Sequence, residues 1–145
     1  MRFVAVIGAF LVVAAPASAK LRNPCSLLTN AEVAKHVGGH VVTRTIGGTS
    51  SFAICTWAGP TFGYFGDRRE VTVTINRSTK AQFEDSFTPG SSRIKGLGEA
   101  AFALSGGRSF LSVYQSGFTL DVTAPYSDAQ LRAEKTLATA ALERL

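Results

Sequence analysis

The sequence predicts an α+β fold in the order αβββαβββα, a mostly antiparallel twisted sheet packed by helices. Three observations point there. Thr29-Asn30-Ala31-Glu32, Thr79-Lys80-Ala81-Gln82 and Ser127-Asp128-Ala129-Gln130 each fit a capping box and mark a helix start. In that motif the hydroxyl accepts from the third residue's N–H, and the Glu or Gln side chain reaches back to the cap. Between these starts the apolar period falls to two, the signature of half-buried strands. Glycine-containing pairs then separate the strands, as short antiparallel hairpins require. Runs of strands between single helices argue against a doubly wound parallel sheet.

The first helix is expected to run to Val37 and stop at Gly38-Gly39, a pair suited to a left-handed C-cap. Strands follow over residues 40–46 and 52–57, with Gly47-Gly48 between them. In the third strand Val71, Val73 and Ile75 alternate with Thr72 and Thr74. The second helix carries Phe83 and Phe87 four apart on one face and ends before Pro89-Gly90. Residues 88–93, rich in Pro, Gly and Ser, read as a linker. Strands over 100–104 and 109–114 flank Gly106-Gly107. After Ser116-Gly117, the residues Phe118, Leu120 and Val122 alternate with Thr119, Asp121 and Thr123. The third helix runs to the C-terminus. Leu131, Ala138, Leu142 and Leu145 are its expected buried stripe, with Glu134, Lys135, Glu143 and Arg144 facing water. A helix-then-three-strands pattern thus occurs twice, without residue-level identity between the halves.

Arg2, the uncharged apolar run over residues 3–15 and the small-residue stretch Pro16-Ala17-Ser18-Ala19 read as a cleavable signal peptide over 1–19. A membrane span needs roughly 20 apolar residues, and this run is shorter. The expected mature chain is then one domain over 20–145, secreted, periplasmic or envelope-associated, with no further transmembrane segment. Its formal charge falls from +5 to +4 with the loss of Arg2. Mild basicity favours anionic surfaces without selecting one. The arginines form no stripe and no recognised motif, so nucleic acid is not an expected partner. Cys25 and Cys55 are the two cysteines of the chain, and export implies that they form one disulfide. A reactive thiol would instead need a free thiolate in a positive pocket.

Asn23-Pro24-Cys25-Ser26-Leu27-Leu28-Thr29, followed by Glu32-Val33, resembles the opening of a bacterial family of small secreted or lipid-anchored envelope domains of unknown function, abundant in actinobacteria. Cys55-Thr56-Trp57, the segment Gly96-Leu97-Gly98-Glu99-Ala100-Ala101 and the final Ala-rich helix are similar to that family too. The resemblance spans nearly the whole expected mature chain. It implies a Cys25–Cys55 disulfide, a PsbP-like α+β sandwich and an accessory, non-catalytic role. The chain departs from many such proteins because Pro24, not a small lipobox residue, precedes Cys25, which implies a soluble product. Trp57, Leu28 and Val33 are expected to share one core patch.

The candidate chemistry is sparse. His36 and His40 have the four-residue spacing of metal ligands on one helical face, but Gly38-Gly39 should end the helix between them. No further ligand sits at a suggestive spacing, so no metal is expected. Gly96-Leu97-Gly98-Glu99-Ala100-Ala101 matches G-x-G-x-x-A formally. It lacks the strand before it and the helix after it that a dinucleotide site needs, so its glycines read as a turn and no cofactor is expected. Glu84-Asp85 are adjacent on a helix and do not face each other. The best binding hint is the aromatic and basic stretch around Phe62, Tyr64, Phe65, Arg68 and Arg69 in a hairpin loop, since aromatics and Arg anchor interfaces. The alternative is that its rings fold onto the core.

The sequence thus leads to an exported, non-enzymatic binding or accessory module that uses the sheet face or this loop to hold an envelope protein, lipid or glycan. A small hydrolase with His36 or His40 brought against a Ser or Asp is one rival. A structural subunit of an envelope complex, marked by a large apolar patch, is the other.

Overall fold

The computed structural model describes residues 21–62, 68–104, 110–125 and 131–145, with Thr61, Phe62 and Arg68 described as backbone. After a 3-10 turn at Pro24–Ser26 come α1 (Asn30–Val37), β1 (Thr43–Gly48), β2 (Phe52–Phe62) and β3 (Arg68–Arg77). Then follow α2 (Lys80–Asp85), β4 (Ser91–Ile94), β5 (Ala100–Leu104), β6 (Phe110–Gln115), β7 (Phe118–Thr123) and α3 (Arg132–Leu142). The fold is α+β. Its strands form one sheet in the order β1-β2-β3-β7-β6-β5-β4, every neighbouring pair antiparallel.

The local signals form as local physics dictates. Both halves of the capping box are made at Thr29/Glu32 and at Thr79/Gln82. Gly38 closes α1 in the left-handed conformation. Ser116 and Gly117 both have positive φ, as the type I′ turn of a two-residue hairpin requires. The expected cap at Ser127 lies outside the described residues. Described α3 begins at Arg132, after Leu131 in left-handed geometry without a side-chain cap.

Two expectations are corrected. Residues 91–93 of the supposed linker, with Ile94, form β4, which pairs with β5 and closes the far edge of the sheet. The order is therefore αβββαββββα. The buried face of α3 is Glu134, Leu137, Ala138 and Ala141, while Leu142 and Leu145 are half-buried. An Ala-rich helix offers more than one stripe at helical spacing, and packing against β6, β7 and α1 selects this one. Glu134, expected in water, is fully buried as a result.

Side chains alternate across a strand, so the sheet has two distinct faces. The main core fills the first. Leu27, Leu28, Val33 and Val37 pack there on Trp57, Val71, Val73, Leu111, Val113, Leu120 and Val122, with α3 completing the layer. The shared patch of Trp57, Leu28 and Val33 is thus present. At Gly59 a Cβ would fall 1.7 Å from the Val37 carbonyl oxygen, so the end of α1 rests directly on β2 backbone. The Cys25–Cys55 disulfide, with Cα atoms 5.2 Å apart, ties the 3-10 turn to β2. The second face carries a smaller cluster, Phe83, Phe102 and Tyr114, flanked by Phe87, Ala100 and Phe110. Here α2 lies across one half of the sheet. The second helix-and-strand unit has four strands and sets its helix on the face opposite α1.

Candidate functional site

The second face holds a groove. With α2 seated through Phe83 on Phe102 and Tyr114, the strands beyond it stay partly open. A cavity of about 420 Å³ lies between, within the usual range for small-molecule sites. Its apolar wall comprises Phe83, Phe102, Leu104 and Phe110, and its polar wall includes Asn76, Ser78, Ser112, Thr119 and Asp121.

Register explains this composition. Phe102, Ser112 and Asp121 are cross-strand partners in one row over β5, β6 and β7, and Asn76 pairs with Thr119 in the next row. Each polar residue sits between core-facing neighbours: Ser112 between Leu111 and Val113, Asp121 between Leu120 and Val122. The pleat therefore forces them onto the second face. Aromatic contacts hold the apolar wall. The Phe83 and Phe102 centroids lie 5.1 Å apart, and Phe87 meets Phe102 edge-on at 5.8 Å. Arg93 lies over the Phe87 ring at 4.8 Å and pairs with Glu84 of α2 at 2.6 Å, fixing α2 to β4. Glu84 is thus ion-paired with Arg93.

Asp121 anchors the polar wall. Ser112 Oγ donates to its Oδ1 at 2.5 Å, and Asn76 Nδ2 donates to its Oδ2 at 3.5 Å. Burial pushes the Asp121 carboxyl above its ordinary value, and the Ser112 hydrogen bond opposes that only in part. Ser78 and Thr119 share a hydroxyl hydrogen bond of 2.6 Å nearby. No lysine or arginine is among the described residues lining the groove.

No family model, curated protein or solved structure matches the chain.

The sequence-derived loop lies elsewhere. Phe62 pairs with Arg68 where the β2–β3 hairpin begins, and Asn76 stands at the other end of β3, about 26 Å of extended strand away. Arg69 is a half-buried residue of β3, while Tyr64 and Phe65 lie outside the described residues. The groove residues went unrecognised because they are distant in sequence. The signal that could have found them is a polar residue, Ser112 or Asp121, on the same sheet face as the aromatics Phe102 and Phe110.

The histidines do not reach this groove. His36 is on α1, which packs on the first face, and exposed His40 lies beyond the Gly38 cap. Among the described residues no His, Cys, Asp and Glu gather in a group of three that could hold a metal. His36 has a different neighbour. Burial lowers its pKa, and the charge of Glu134 acts the other way. Both Glu134 carboxylate oxygens and the Trp57 indole nitrogen are buried without a hydrogen-bond partner. No described serine, threonine or cysteine hydrogen-bonds to His36, and Ser112–Asp121 has no imidazole beside it. His36 and the Ser112–Asp121 pair therefore sit on opposite faces of the sheet.

The exposed apolar residues also divide. Ile46 pairs with Cys55 on the core face, whereas Phe52 pairs with Asn76 on the other. Ile46 and Phe52 thus lie on opposite faces of the sheet. Among the described residues no helix is long and apolar enough to cross a membrane.

Proposed function

We propose that this protein is an exported, non-enzymatic binding module that holds a small amphipathic ligand in the groove between α2 and the sheet. The observation that carries the reading is a half-buried, hydrogen-bonded carboxylate, Asp121, set opposite a wall of phenylalanines in a cavity of ligand size. A few fixed polar groups in an apolar cleft are what small-molecule sites use to orient their ligands. Second-face sheet positions filled with Ser112, Asp121 and Asn76 beside aromatics serve folding poorly and recognition well.

Export belongs to the same proposal. The Cys25–Cys55 disulfide and the absence of a membrane-crossing helix among the described residues are compatible with it. So does kinship with the secreted or lipid-anchored envelope domains and the PsbP-like sandwich, which rests on the Asn23–Thr29 motif, the Cys55-Thr56-Trp57 motif and the α+β architecture.

A fragment screen followed by amide chemical-shift mapping on the secreted, oxidised protein tests the reading. Shifts centred on Phe102, Ser112, Thr119 and Asp121 are expected. Shifts confined to residues 62–69 would move the site to the hairpin loop. A screen that perturbs neither region would leave association with an envelope protein as the better account.

A further inference from the structure

We propose that the ligand of the α2 groove is an organic cation, an ammonium group carried on an apolar body, with Asp121 as its counter-ion. This inference rests on the groove being the binding site. Charge complementarity selects the class. Among the described residues that line the groove, Asp121 is the one ionisable side chain, and none is a lysine or arginine. The two hydrogen bonds that Asp121 accepts come from the neutral donors Ser112 and Asn76, and no cationic side chain is among its described partners. A partly buried carboxylate served only by neutral dipoles carries uncompensated negative charge.

The rest of the wall suits the same ligand. Phe83, Phe102 and Phe110 line the side facing the polar row, and an aromatic face attracts a cation desolvated beside it. The Ser78 and Thr119 hydroxyls, already paired at 2.6 Å, can accept from the remaining N–H groups of a primary ammonium. An anionic ligand would meet the Asp121 charge with no cation among the described lining residues to offset it. A neutral sugar would find hydroxyl partners, but it would leave that charge uncompensated. Raised by burial, the Asp121 carboxyl also makes a direction for pH dependence: cation affinity should fall as the solution is acidified and the group takes up its proton.

The test compares 2-phenylethylammonium with 2-phenylethanol, which share an apolar body and differ in charge. Dissociation constants come from amide shift titrations of the full secreted protein at neutral pH. The ammonium probe is expected to bind in the groove at least about tenfold more tightly than the alcohol, a gap typical of a charge-assisted contact. Asp121→Asn, close in shape and still able to meet Ser112, should abolish that preference while retaining the alcohol's affinity. Phe110→Ala should weaken both probes. Equal binding of both probes in the groove would overturn the cation class and leave the binding module standing. Binding of neither probe or any other fragment there would overturn both. Should Asp121→Asn fail to fold, the wild-type pH profile decides: an ammonium affinity unchanged by acidification through the Asp121 titration would overturn the assignment.

Discussion

Glu134 carries a desolvation cost that nothing in its described surroundings offsets by hydrogen bonding. Both its oxygens are buried and unpartnered on the face of α3 that packs into the main core. An unsatisfied buried polar group costs about 1–3 kcal/mol, more when charged. Glu134→Leu should therefore stabilise the protein by about 1–3 kcal/mol in urea unfolding, reversing the usual sign of a core substitution. The same variant removes the negative charge that opposes the burial-driven lowering of the His36 pKa. The His36 imidazole, followed by NMR, should then titrate at lower pH than in the wild type. An unmoved His36 titration would show that the two groups do not sense each other. Gly59 makes the opposite case. A methyl there would fall 1.7 Å from the Val37 carbonyl oxygen, so Gly59→Ala should cost about 1–3 kcal/mol as α1 is pushed off β2.

At the scale of elements, α1 and α3 are joined by Arg144. Its guanidinium donates to both oxygens of Glu32, at 2.8 and 3.0 Å, and to the Leu27 carbonyl at 2.9 Å. Glu32 is also the acid of the α1 capping box, accepting from the Thr29 N–H at 2.7 Å. The Arg144 hydrogen bond above all, and then the Thr29 N–H, hold its pKa down at about 2 against an ordinary 4.5. A depressed carboxyl stabilises the fold while ionised, so its contribution is complete above about pH 4.5 and is lost as pH falls toward 2. Glu32→Gln should accordingly be less stable than wild type at pH 6, with the gap closing at pH 2.5. A gap that persists in acid would assign the effect to packing. Thr29→Ala, removing the other half of the box, should cost about 1 kcal/mol. These boxes were legible because a cap is decided within four residues. By contrast, β4 was not. Ser91-Ser92-Arg93-Ile94 has no alternation to announce a strand, and only pairing with β5 makes it one. The register of α3 was hidden for a related reason: alanines at many positions left the choice of face to the sheet. The groove was the least legible feature. Ser112, Asp121, Phe102 and Asn76 come from four strands, and only the sheet order places them together.

Across the whole molecule, that order makes one sheet serve two purposes. Its first face is sealed by α1, α3 and the 3-10 turn, whereas its second is covered on one half by α2. The groove exists because the fold already has a complete core on the other side. Its rigidity then depends on how firmly that core is closed. The disulfide is central here because it fastens the segment that caps the core at Leu27 and Leu28 to β2, next to the central strands. Its sequence separation of 30 residues closes a loop worth roughly 3.5 kcal/mol through the entropy it removes from the unfolded chain. A paired Cys25→Ser and Cys55→Ser variant should therefore lose about 3 kcal/mol in urea unfolding, less if the denatured chain keeps structure around that loop. Both sulfurs lie on the core side of the sheet, so the loss should reach the groove only through global unfolding. Ligand affinity measured at low urea, where the variant is still folded, should match that of the wild type. Weaker binding by a fully folded variant would mean instead that closure of the first face shapes the second, and that the groove and core form one mechanical unit.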